Sequence, residues 1–233
     1  LVPGNFAGSY YVLAKIDVFD TNPETIENDF TINGNNIWLD VNAPRFTIQP
    51  TNFATNYLAS TTAGGSGNGY SDNPAASGDG RYTVFASDAT NLVAGDSNGT
   101  RDIFIFDNQT VTTRRLNLSR QGAQANGPSN RPAISTDGRF VAFESAASNL
   151  VLGDTNAFSD IFVVDSVTGS LSLVSVGSTG TQGNNSSFRP SISGTGRFVS
   201  FESTANNLTV PAVATGGSQI YLRDRDVSGS GIF

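Results

Sequence analysis

The sequence predicts an all-β protein whose larger part is three tandem copies of one four-stranded unit. Three observations predict it. Apolar and polar residues alternate in short runs, as in Arg139-Phe-Val-Ala-Phe-Glu-Ser145 and Asp160-Ile-Phe-Val-Val-Asp165, the period-two pattern of half-buried strands. The chain is rich in Gly, Ser, Thr and Asn and has 25 glycines, which break up any sustained helical period. Most telling, Asp72-Asn-Pro74, Asn130-Arg-Pro132 and Phe188-Arg-Pro190 recur 58 residues apart, from 74 to 132 and again from 132 to 190.

The register holds through Gly80, Gly138 and Gly196, through Arg81, Arg139 and Arg197, through Phe85, Phe143 and Phe201, and through Asn91-Leu92, Asn149-Leu150 and Asn207-Leu208. Asp102-Ile-Phe-Ile-Phe-Asp107 matches Asp160-Ile-Phe-Val-Val-Asp165, and the third copy offers Gln219-Ile-Tyr-Leu-Arg-Asp224 with one residue inserted. Within a unit the strands fall at Pro132 to Ser135, Arg139 to Ser145, Asp160 to Asp165 and Ser170 to Val176. Asp137-Gly138 between the first two suits a tight type I′ turn, which needs positive φ at both central residues. The phenylalanines at 85, 143 and 201 and the isoleucines at 103, 161 and 220 are expected to pack one unit on the next. A four-stranded unit with a period above 40 residues fits a propeller blade, which buries its faces only by stacking on its neighbours. The repeats therefore span 67–124, 125–182 and 183–233, the last short of its fourth strand. Residues 45–66 form a linker with an orphan strand, since Thr55-Asn-Tyr-Leu-Ala-Ser60 lies 58 residues before Thr113-Arg-Arg-Leu-Asn-Leu118.

Composition narrows the chemistry. There is no Cys, no His and no Met, so Ser-His-Asp and Cys-His catalysis, thiolate zinc sites and disulfide staples are excluded on inventory. Acidic residues outnumber basic ones by 20 to 13, and Lys15 is the only lysine. Phosphate-backbone binding needs clustered Lys and Arg, so nucleic acid is not an expected partner. No apolar run approaches the roughly 18 residues of a membrane-spanning helix, so membrane insertion is not expected.

Arg-Pro-x-Ile-Ser-x-x-Gly-Arg-Phe-Val-x-Phe-Glu-Ser, followed by Ser-Asn-Leu-Val and Gly-Asp-Thr-Asn, resembles the PD40 (WD40-like) repeats of TolB-like bacterial β-propellers over residues 67 to 227. The resemblance implies a partial propeller. Gly8-Ser-Tyr-Tyr-Val-Leu-Ala-Lys-Ile-Asp17 and Ile37-Trp-Leu-Asp-Val41 resemble the closing hairpin of a CARDB-type immunoglobulin-like domain over about residues 1 to 42, which bounds a first segment at 1–44. That likeness implies a bacterial surface setting; the alternative is a generic hairpin packed on the propeller.

The strongest chemical motif is Asp96-Ser-Asn98-Gly-Thr100-Arg-Asp102, echoed by Asp154-Thr-Asn156-Ala-Phe-Ser-Asp160. Oxygen ligands at alternate loop positions suit Ca²⁺, and Asp96, Asn98, Thr100, Asp102, Asp154, Asn156 and Asp160 are its candidate ligands. The alternative is a loop in which the same side chains cap backbone N–H groups. Glu144 and Glu202, with Asp107, Asp165 and Asp224, could be read as glycosidase carboxylates. They recur once per unit, however, as architecture requires, and pairing with the recurrent arginines between blades is the better reading. No catalytic residue is expected.

Three functional readings follow: a non-catalytic secreted or cell-surface module (the periplasm being the alternative site) that binds a protein or glycan, a structural subunit that completes its sheets with strands from further copies of itself, or an accessory propeller of a larger hydrolase. The incomplete sheets lead us to expect either a piece of a larger protein or a homo-oligomer.

Overall fold

The computed structural model describes residues 30–32, 35–37, 56–62, 64–212 and 217–231. The chain divides into two compact units, Leu1–Asn56 and Tyr57–Phe233. In the first, β1 (Phe30–Ile32) and β2 (Asn35–Ile37) pair antiparallel; the rest of the CARDB-like segment lies outside the described residues. No helix occurs among the described residues.

The second unit opens with a small hairpin, β3 (Thr61–Thr62) and β4 (Gly65–Ser66). The orphan strand expected at 55–60 is not a strand over its described residues. Three antiparallel meanders follow. The first sheet is β5 (Ser71–Ala76), β6 (Tyr82–Ser87), β7 (Asp102–Asp107) and β8 (Thr112–Arg115). The second is β9 (Ser129–Ile134), β10 (Phe140–Ser145), β11 (Asp160–Asp165) and β12 (Leu171–Leu173). The third is β13 (Ser187–Ile192), β14 (Phe198–Ser203) and β15 (Gln219–Asp224).

The Ser-x-Asp-Gly-Arg sequence makes the first turn of each of the first two sheets. Ser135 Oγ donates to Asp137 Oδ1 at 2.5 Å and accepts the Phe140 N–H at 2.9 Å, while Asp137 Oδ1 caps the Arg139 N–H at 3.1 Å. Only Gly138 takes a positive φ, 75°. The turn is therefore a four-residue loop closed by Ser135 and Phe140 rather than the expected two-residue type I′ turn. The serine and aspartate side chains supply bonds that the shorter turn would have made through its backbone.

A second feature was silent in the sequence. Asn73, Arg131 and Arg189, each before the recurring proline, hold φ near 50°. The pairing of β9 with β10 and its counterparts slips at the same place. The proline lacks a donor for the ladder, and a bulge accommodates it. The recurring Asn91, Asn149 and Asn207 have structural work too: their side-chain oxygens accept the N–H groups of Asn68, Asn126 and Asn184 at 2.8, 3.0 and 3.0 Å.

The sheets stack through apolar faces that alternate along each strand. Val84, Ala86, Ile103 and Ile105 of the first sheet meet Val141, Phe143, Phe162 and Val164 of the second. The second sheet's opposite residues, Phe140, Ala142, Ile161 and Val163, meet Val199, Phe201 and Tyr221 of the third. Within each sheet one aromatic pair, Phe85–Phe104, Phe143–Phe162 or Phe201–Tyr221, stacks at 5.8 Å. Each expected core residue is buried except Ile220, which is 73% exposed because it lies on the outward face of the third sheet. Face-to-face stacking of successive antiparallel meanders, two of four strands and one of three among the described residues, is the blade arrangement of a partial β-propeller.

Candidate functional site

The loops joining the second and third strands of the first two sheets carry the candidate metal ligands. In the first sheet they surround a positive charge already present in the chain. The Arg115 guanidinium at the end of β8 donates through Nη1 to Asp96 and Asp102, both at 2.9 Å, and to Gln124 Oε1 at 3.1 Å. All three charged side chains are buried, 7%, 3% and 1% exposed respectively. Asn98 Nδ2 bonds both Asp102 oxygens, and Asn117 Nδ2 bonds Asp102 Oδ1 at 2.7 Å. Asn98 Oδ1 caps the Thr100 N–H at 3.4 Å. Burial pushes the Asp96 carboxyl up, against the opposing pull of Arg115.

The second loop keeps the acids without the cation. Leu173 stands where the first repeat has Arg115. Asp160 accepts from Ser175 Oγ at 2.6 Å and Asn156 Nδ2 at 2.9 Å, and Asp154 accepts from Gln182 Nε2 at 3.1 Å. Asn156 Oδ1 caps the Phe158 N–H at 3.0 Å. Burial raises the Asp160 carboxyl above its ordinary value. Among the described residues no group of three or more carboxylates converges to hold a metal ion. A metal ion in the first loop would have to displace the guanidinium. The sequence motif put these acids in one loop per sheet, but sequence reasoning missed Arg115 and Gln124; the signal was the Gln that recurs at 124 and 182.

The recurrent arginine–aspartate pairs form within their own sheets, not between blades as expected. Arg81 bonds Asp107, Arg139 bonds Asp165 and Arg197 bonds Asp224, at 2.8, 2.8 and 2.7 Å. The hydrogen bond from Arg81, helped by the Gln109 and Thr110 N–H groups, holds Asp107 at about 2. For Asp165 burial pushes upward, but Arg139 and the Val167 and Thr168 N–H groups outweigh it and the carboxyl is lowered. Glu144 accepts the Arg189 N–H at 2.7 Å, and Glu202 bonds the Arg189 guanidinium at 2.7 Å. Between β8 with its following loop in the first sheet and the β11–β12 turn of the second lies a groove of about 320 Å³ lined by Arg114, Arg120, Ser166 and Thr168.

These features define a β-propeller whose repeated polar residues are embedded in its sheets. No family model matches the chain, and no curated protein matches it. Among solved structures it is similar to TolB from Acinetobacter baumannii, at 17% identity and a TM-score of 0.41, over 69% of this chain and 31% of that one. It is similar to the putative TolB from Agrobacterium tumefaciens at 21% identity and a TM-score of 0.41, over 65% of this chain and 44% of that one. The β-propeller domain of the Trilobed protease from Pyrococcus furiosus matches at 15% identity and a TM-score of 0.38, over 67% of this chain and 43% of that one. The chain thus spans less than half the length of each.

Proposed function

We propose that the chain is a non-catalytic propeller module of a secreted or cell-surface bacterial protein, a rigid scaffold whose loops and grooves hold a protein or glycan. One observation carries this reading: the recurrent carboxylates are committed, repeat after repeat, to bonds that build the sheets. A catalytic acid arises once per site and needs a free face toward substrate. Glu144 instead secures the backbone of the next sheet, and Asp107, Asp165 and Asp224 each hold an arginine. The groove lined by Arg114 and Arg120 offers donors to polar or anionic ligand groups. The resemblance of residues 1–44 to a CARDB-type module supports the surface setting, the periplasm being the alternative. The purified chain is incubated with a panel of peptide and glycoside substrates, beside Glu144→Gln and Glu202→Gln. The expected result is no turnover by any of them; turnover that disappears in either variant would overturn the proposal.

A further inference from the structure

Residues that recur every 58 positions build the sheets, and Arg114 and Arg120 do not recur. Their counterparts in the next repeat are Ser172 and Ser178, so the blade does not need a guanidinium at either position. Both arginines are exposed, and both line the groove between β8 with its following loop and the β11–β12 turn. Arg114 Nη1 donates to the Ser166 carbonyl at 3.1 Å, one neutral bond for a group with five donors. Seven other arginines hold carboxylates, yet neither Arg114 nor Arg120 is ion-paired to a described residue. Acidic residues outnumber basic ones by 20 to 13, so the chain does not lack acids to pair them with.

The other charges in the groove are already answered. Asp165 lines it but is held by Arg139 at 2.8 Å and by the Val167 and Thr168 N–H groups. Arg115 lines it too, and its charge is met by the buried Asp96 and Asp102. Arg114 and Arg120 are left as the uncompensated charge. Beside them the walls are apolar: Leu118 is half-buried, and Val167 at the turn is 77% exposed. No aromatic ring is among the described lining residues, so a sugar finds no flat apolar face to lie against.

We propose that this groove receives a carboxylate of a partner polypeptide, held by Arg114 and Arg120, with the apolar side chain beside that carboxylate resting on Leu118 and Val167. Guanidinium groups meet carboxylates through paired, charge-assisted bonds. A space of about 320 Å³ is at the small end of ligand sites, which suits a short segment of chain. The proposal rests on the binding role given above and narrows its occupant.

Amide chemical-shift titration of the full chain tests it with three N-acetylated tetrapeptides. One ends in a free leucine carboxylate, the second is its C-terminal amide, and the third is an amide with glutamate before leucine. At least one of the two acids should bind about ten-fold or more tightly than the neutral peptide, with shifts at Arg114 and in the 165–170 turn. Which acid binds tells whether a chain end or an acidic side chain is the source. Arg114→Gln and Arg120→Gln, each checked for folding by its melting profile, should weaken that binding about ten-fold, the order of one charged hydrogen bond. Arg223→Gln, at an arginine that donates to the Val176 and Gly177 carbonyls of the other sheet junction, should bind like the parent. Equal affinity for the neutral peptide, no shift from any peptide, or full affinity in both groove variants overturns the proposal. So does a glucuronate disaccharide that binds in place of the peptides. The broader binding role survives each of these outcomes, since it fails only by turnover in its own substrate panel.

Discussion

Arg115 shows how much one side chain decides. It neutralises two buried aspartates that could not otherwise remain charged without cost, and its counterpart in the next repeat, Leu173, leaves Asp154 and Asp160 to neutral donors. Arg115→Leu strands Asp96 and Asp102, and we expect a loss of about 3 kcal/mol in urea unfolding, in line with breaking one side of a buried ion pair. Asp107 sets an acid limit. Its carboxyl sits at about 2 in the folded chain, against about 3.9 when unfolded. The folded state then binds fewer protons in that interval, so this contribution is complete above about pH 4 and drains away as the pH falls through about 2. Asp160 runs the other way: burial raises its carboxyl, so its contribution declines as the pH rises past the unfolded value. Melting temperatures recorded across the acid range should fall less steeply for Asp107→Asn than for the parent.

At the scale of the element, strands were legible because period-two alternation reports directly which face is buried. The observed β10 and β11, Phe140–Ser145 and Asp160–Asp165, coincide with the runs that announced them to within a residue. Turn geometry was less legible. Asp-Gly signals a reversal, but the Ser135 and Asp137 side chains set its length, and the bulge at Arg131 appears only when Pro132 meets its ladder partner. Nor could alternation tell that Ile220 would face outward uncovered. Two comparisons follow. Gly138→Ala, which strains a positive φ and drives a Cβ into Tyr82, should cost more in urea unfolding than Gly153→Ala, which carries only the roughly 1–2 kcal/mol left-handed penalty. Ile161→Ala should cost about 2–5 kcal/mol as a buried truncation, while Ile220→Ala, at 73% exposed, should stay within about 0.5 kcal/mol as a surface change.

For the larger unit of the chain, every conclusion depends on homologous sheets stacking in sequence order, the second between the first and third. The absence of cysteine from the natural sequence allows that order to be read by crosslinking. An added Cβ on Gly78 would lie 3.5 Å from Thr136 Cβ, and one on Gly194 3.4 Å from it, at the lower edge of the separation a disulfide spans. The direct measurement is mild oxidation of two double variants, Gly78→Cys with Thr136→Cys and Thr136→Cys with Gly194→Cys, followed by thiol counting and mass analysis. Stacked sheets predict an intramolecular disulfide in both; thiols that stay free, or that pair only between molecules, would contradict the stacking.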